Sequence, residues 1–253
     1  MGDIDVTTIA PLSHAEAMAL QARELERTLT LLRSLSPEDW SATTDCPDWD
    51  VRQMYLHVLG ACEAGARLRE NVHQLATARR QHKREGGPLE AAISGVQVRE
   101  RADVPPDELV RRLAAIAPKT VAGRRRVPGI VRRGAKIAVD GPVEEKWALG
   151  YLLDTIYLRD LWMHRVDAAR ATGRPIELSA DHDGRIVADV VAEWARRHGQ
   201  PFVLELTGPA GGTYVHGPDA PEAERITLDA VELCRTLAGR GEASGLLATV
   251  VPF

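Results

Sequence analysis

The chain has 253 residues, 27% of them charged, with a net charge of −4. That length can bury a full core in one large domain or two modest ones, and two is the expectation. The small net charge supplies no global field for nucleic acid or an anionic membrane, and no stretch approaches the roughly 20 apolar residues that span a bilayer, so neither partner is expected.

The opening MGDIDVTTIAPLSHAEAM has no basic segment followed by an apolar run, and a cytoplasmic location is expected. Cys46, Cys62 and Cys234 are odd in number, widely spaced and free of any CxxC pattern. That usage fits unpaired thiols in a reducing compartment. Among 32 basic residues only Lys83, Lys119, Lys136 and Lys146 are lysine, a compositional mark of a GC-rich genome.

From about Ser13 to Leu35, Ala17, Leu20, Leu25, Leu29, Leu32 and Leu35 recur at three- to four-residue steps and predict a first amphipathic helix. After the turn SPEDWSATTDCPDWD, Asp50 caps a second helix striped by Val51, Met54, Tyr55, Val58, Leu59 and Cys62 and running to about Arg80. The charged, glycine-containing QHKREGGPLE reads as a loop, and a third helical region follows the VPP breaker from about Pro106 to Ala117. A basic loop, RRRVPGIVRRGAK, and a turn at DGPVEEKW lead into a fourth helix from about Val143 to Ala171, stopped by Gly173 and Pro175. Between Trp147 and Leu158 its one charge is Asp154, the pattern of a helix buried at the centre of a bundle. Beyond Pro175 the pattern becomes a helix over Arg185 to Arg197, a strand–glycine turn–strand in PFVLELTGPAGGTYVHG, a last helix over Asp229 to Ala238, and a terminal strand over Leu246 to Val251. The expected organisation is therefore a helical bundle over residues 1–175 and a small α+β domain over residues 176–253.

Asp160 and His164 sit one helical turn apart, where two side chains on one face can grip a single cation. His57, at the edge of the second helix's stripe, is the candidate third ligand. Each has a plain alternative: His57 as a half-buried core histidine, Asp160 and His164 as an i,i+4 charge pair worth about 0.2–0.5 kcal/mol. Their joint occurrence on apolar helices favours a divalent cation, because burying a carboxylate and two imidazoles otherwise carries a large desolvation cost. Three protein ligands leave a tetrahedral position open, the mark of a catalytic zinc.

The segments LSPEDWSATTDCPDWDVRQMYLHVLG, LRDLWMHRVDAARATGRP and LDAVELCRTLAGR together resemble the mycothiol-dependent maleylpyruvate isomerase family. The resemblance implies a DinB-like four-helix bundle followed by a small α+β C-terminal domain similar to sterol carrier protein folds. It places the zinc ligands on His57, Asp160 and His164, with aspartate where the isomerase type has glutamate, a reach shorter by roughly 1.5 Å. It also implies an external thiol, the mycothiol of actinobacteria, as cofactor or co-substrate.

Cys46, in the turn before the second helix, is expected to be a packed small residue, and Cys62 lies about 140° round the helix from His57, off the metal face. Arg124, Arg125, Arg126, Arg132, Arg133 and Lys136 form a run suited to an anionic partner or to solvent. Arg235 and Arg240 are the candidate catalytic cations for a substrate carboxylate, Arg240 also for the cofactor, since guanidinium matches carboxylate geometry. The remaining histidines, His14, His73, His82, His182, His198 and His216, are expected at the surface or in caps.

The first functional expectation is a zinc-dependent enzyme that adds a low-molecular-weight thiol to a small electrophilic or anionic substrate, as an S-transferase or a cis–trans isomerase. The second is a non-catalytic binding or regulatory protein on the same bundle. A metal-dependent hydrolase ranks last, because neither Asp154 nor Asp167 is well spaced as a general base. A monomer or homodimer is expected.

Overall fold

The computed structural model of the chain describes residues 2–139, 145–217 and 223–253. It divides into two compact units, one of Ser13–Pro175 and one of Met1–Leu12 with Ile176–Phe253.

Four long helices make the core of the larger unit. Helix α1 (His14–Ser34) opens with a capping box in which Ser13 and Glu16 exchange hydrogen bonds. Helix α2 (Val51–Ala66) opens the same way: the Asp50 carboxylate accepts the Gln53 N–H at 2.7 Å while Gln53 accepts the Asp50 N–H at 3.0 Å. Arg67, extended at φ −138°, breaks the expected long second helix. Helix α3 (Leu68–Glu85) resumes at once and passes through part of the expected loop. Gly86 and Gly87, both at positive φ, then turn the chain into α4 (Leu89–Arg99), a helix that begins in the last residues of the expected loop. Gln74 and Ala78 of α3, and Ala92 and Val96 of α4, are buried in this side pair, which packs on α2.

Helix α5 (Pro106–Arg125) runs beyond its expected end and carries Pro118 in its interior. Burial of Thr120, Val121 and Arg124 holds the last turns in place despite the hydrogen bond that proline removes. Short α6 (Gly129–Gly134) precedes an unexpected antiparallel hairpin of β2 (Lys136–Val139) and β3 (Glu145–Ala148). The expected turn at DGPV and the expected helix start at Val143 lie outside the described residues. The fourth core helix starts at Leu149, with a single turn α7 (Leu149–Tyr151), a π-helical turn over Leu152–Ile156, and then α8 (Tyr157–Thr172). Asp154 sits in the π turn, where His14 Nδ1 meets its Oδ1 at 2.6 Å and Arg132 meets its Oδ2 at 2.9 Å.

Helices α1, α2, α5 and α8 close the bundle: α1 packs on α5 and α8, and α2 packs on the same two. At the α2–α5 crossing a side chain on Gly123 would sit 2.3 Å from the Gly65 carbonyl, so the backbones meet with nothing between them.

The smaller unit is built on α9 (Asp183–His198), β4 (Phe202–Thr207), β5 (Gly212–His216), β6 (Glu224–Asp229) and α10 (Ala230–Leu237). Its four-stranded sheet runs β1–β5–β4–β6, where β1 is Ile4–Asp5. Strand β1 pairs parallel with β5 through Ile4↔Tyr214, which takes the N-terminal residues, expected with the bundle, into this unit. Strand β6 was not anticipated, because its apolar alternation is thin; it pairs parallel with β4. The expected terminal strand is instead a 3-10 turn, Gly245–Ala248, with Val251 tied to the Leu237 carbonyl. No helix of the described residues is long and apolar enough to cross a membrane.

Candidate metal centre

The turn before α2 is fixed by local bonds: the Thr44 hydroxyl donates to the Trp49 carbonyl at 2.8 Å, and the Trp49 N–H donates to the Cys46 carbonyl at 2.9 Å. It delivers Trp49 onto His57, whose ring stacks at 5.2 Å and 28°. Across the bundle the Tyr55 hydroxyl donates to the His164 carbonyl at 3.3 Å, tying α2 to α8 beside the same histidine.

His57, Asp160 and His164 each offer a ligand atom within 4.8 Å of the others. His57 Nε2 lies 3.8 Å from Asp160 Oδ2, and His164 Nε2 lies 3.2 Å from Asp160 Oδ1. The two imidazoles meet edge to face with centroids 5.4 Å apart. Among the buried side-chain atoms, His57 Nδ1 and His164 Nε2 lack a hydrogen-bond partner; the Asp160 oxygen near His164 is close but not aligned as an acceptor. Buried polar atoms are normally satisfied, and a His–His–carboxylate set in which His164 Nε2 is left unsatisfied while facing Asp160 fits a divalent cation.

Burial works against the charge on His164, but the Asp160 carboxylate first, then Asp167 and Cys46, outweigh it and hold its pKa well above 6.5. Burial would also raise Asp160. Its side chain keeps 28% exposure, however, and the charge on His164 first, with the closeness of both imidazoles, holds it well below 3.8.

Two residues near His164 were missed or set aside in the sequence. Asp167, fully buried, places Oδ2 3.6 Å from His164 Nδ1, and its i,i+3 spacing was legible. Cys46 brings its Sγ to 4.0 Å from the same nitrogen; a loop residue 118 positions away carries no spacing signal. Cys62 is fully buried, and burial pushes its thiol pKa up.

The basic run divides. Arg124 is buried, donates to Gln21 Oε1 at 2.8 Å and lies over the Tyr157 ring at 4.0 Å, and Arg132 is held by Asp154. Arg125, Arg126, Arg133 and Lys136 are exposed. In the smaller unit, Arg235 is buried on α10, donates to Glu232 at 2.6 Å and reaches the Arg240 carbonyl at 3.5 Å. His182, expected at the surface or in a cap, is the N-cap of α9, where its carbonyl accepts the Ile186 N–H, and it is fully buried.

Two crystal structures of the mycothiol-dependent maleylpyruvate isomerase share this fold, one of them a histidine-to-alanine mutant. The mutant is 15% identical with a TM-score of 0.56, the other 16% identical with 0.57, and each match covers 91% of this chain and 90% of that chain. No curated protein matches the chain. Residues 21–169 match the "Mycothiol maleylpyruvate isomerase N-terminal domain", a span that includes all three candidate ligands, and the chain belongs to the mycothiol maleylpyruvate isomerase family.

Proposed function

We propose that this protein is a metalloenzyme that uses mycothiol, with zinc or a similar divalent cation held by His57, Asp160 and His164. In this reading it adds the thiol to a small electrophile, either rotating a cis double bond conjugated to a carbonyl, as in maleylpyruvate isomerisation, or displacing a leaving group in S-transfer. The observation that carries it is the convergence of His57 Nε2, His164 Nε2 and the Asp160 carboxylate on α2 and α8, with His164 Nε2 buried and lacking a hydrogen-bond partner among the described residues. Family membership and the shared fold support it.

When bound, such a cation supplies Lewis acidity that lowers the pKa of an entering thiol. The protein's own groups do the positioning. Trp49 fixes the plane of the His57 ring, and Tyr55 holds the backbone that carries His164. The Asp167 carboxylate, 3.6 Å from His164 Nδ1, favours the proton on that nitrogen and so the tautomer with Nε2 free to ligate. Arg240 is proposed to bind anionic groups of the substrate and of the thiol by paired N–H donation, with Arg235, buried and bonded to Glu232 and the Arg240 carbonyl, positioning that segment.

The test is turnover of maleylpyruvate and of related electrophiles by zinc-loaded protein with and without mycothiol. Thiol-dependent turnover that is lost in His57→Ala is expected. Turnover indifferent to the thiol or to His57→Ala overturns the proposal, and far less than one metal per chain favours a non-catalytic binding protein instead.

A further inference from the structure

His164 presents a donor set to each of its ring nitrogens. Facing Nε2 are His57 and Asp160. Facing Nδ1 are Asp167 Oδ2 at 3.6 Å and Cys46 Sγ at 4.0 Å, themselves 3.8 Å apart. The Cys46 thiol donates to Asp167 Oδ2 over the longer distance usual for sulfur, and His164 Nδ1 lies just beyond hydrogen-bond distance of that carboxylate. These separations are close to the edges of a coordination sphere, because ligands bonded tetrahedrally at about 2.0–2.3 Å stand roughly 3.3–3.8 Å from one another. Closing the set onto an ion needs shifts of only a few tenths of an ångström.

We propose that Cys46, His164 Nδ1 and Asp167 form a second cation position, for a thiophilic divalent ion, that competes with the His57–Asp160 set for the same histidine. A neutral imidazole has one lone pair for ligation, so a cation on Nδ1 leaves Nε2 protonated and removes a ligand from the other set. A thiolate beside an imidazole and a carboxylate selects Zn²⁺ or Cd²⁺ over Mg²⁺ or Ca²⁺, and the thiol proton leaves to solvent as the sulfur–metal bond forms.

The surroundings suit such an ion. The Cys46 N–H donates to Thr44 Oγ1 at 3.1 Å and the Cys46 carbonyl accepts from Trp49, so the thiol is placed by a fixed turn. Asp167 and His164 are held one turn apart on α8. A cavity of about 430 Å³ lined by Thr43, Asp45, Asp167, Arg170 and Ala171 shares Asp167 with this set. A soft ion lodged there is a route to inhibition by heavy metals that needs no contact with His57.

This inference stands whether or not the protein is an enzyme. Cys62 and Cys234 are fully buried, so in the folded protein a disulfide reagent such as DTNB reports on Cys46. Cd²⁺ is titrated into the wild type, into His57→Ala and into Asp160→Asn, following DTNB reactivity and the ultraviolet thiolate-to-cadmium band. Expected in all three is one equivalent that slows the reaction of Cys46 at least about tenfold and raises the band, with Mg²⁺ inert and Cys46→Ser or Asp167→Ala removing the effect. A Cys46 rate unchanged by Cd²⁺ in both His57→Ala and Asp160→Asn overturns the proposal.

Discussion

His164 Nε2 lies 3.2 Å from Asp160 Oδ1, and each group shifts the other's titration in the direction that keeps both charged. In metal-free protein the contribution of His164 to stability is fully present below 6.5 and is lost as pH rises through its raised folded pKa. The contribution of Asp160 is present above 3.8 and is lost as pH falls through its lowered folded pKa. Urea denaturation of chelator-treated protein should therefore show this pair contributing most between those two values, and His164→Ala should flatten the alkaline limb. A divalent cation must displace the His164 proton, so zinc affinity should rise with pH over the range in which the metal-free pair weakens. Affinity independent of pH would mean that His164 is not a ligand.

Asp160 is one methylene shorter than a glutamate, yet its two oxygens already reach His164 at 3.2 Å and His57 at 3.8 Å. Those distances bracket the roughly 3.4 Å ligand–ligand edge of a tetrahedral zinc site. The extra methylene of Asp160→Glu would have to fold back to fit, and the variant should bind zinc no more tightly than wild type by calorimetry. Asp160→Asn keeps the shape but loses the charge, and should weaken binding by at least about tenfold. A gain in affinity for Asp160→Glu would show that α8 needs the longer reach.

The bundle was legible in the sequence because its helices carry strong 3.6-residue stripes with polar caps at Ser13 and Asp50. The ligand set was legible because Asp160 and His164 share one face of one helix. What escaped was set by tertiary contact. The helix α4 buries its apolar face only through tertiary contact with α3 and α2, and the break at Arg67 has no proline or glycine at the break itself to mark it. The β2–β3 hairpin precedes an apolar run whose composition reads as a longer helix. Cys46 reached the site through a turn whose shape depends on Thr44 and Trp49, and no residue spacing encodes that approach.

Gly123 faces the Gly65 carbonyl so closely that an added Cβ would sit 2.3 Å from the oxygen, a backbone atom that cannot rotate away. Gly123→Ala should force α2 and α5 apart and cost about 1–3 kcal/mol, more than the helix propensity gained from alanine. Equilibrium urea denaturation measures this directly. Because α2 carries His57, the same variant should also weaken zinc binding, and an unchanged midpoint would show that the crossing relaxes without cost.

In the smaller unit, His198 closes α9 against an aromatic cluster, 4.4 Å from the Trp194 ring and 5.5 Å from Phe202. The Gln200 N–H donates to His198 Nδ1 at 3.0 Å, so that nitrogen must keep its lone pair. Burial first, then the neighbouring charge of His216, lowers its pKa below 6.5. The unfolded chain therefore binds this proton more readily than the folded one, and the contribution is present above 6.5 and lost as pH falls below it. Acidification should lower the denaturation midpoint followed by tryptophan emission, in the opposite sense to the His164 limb. His198→Gln, which cannot titrate, should remove that acid-side slope while leaving zinc affinity unchanged; an identical slope in the variant would assign it to another group.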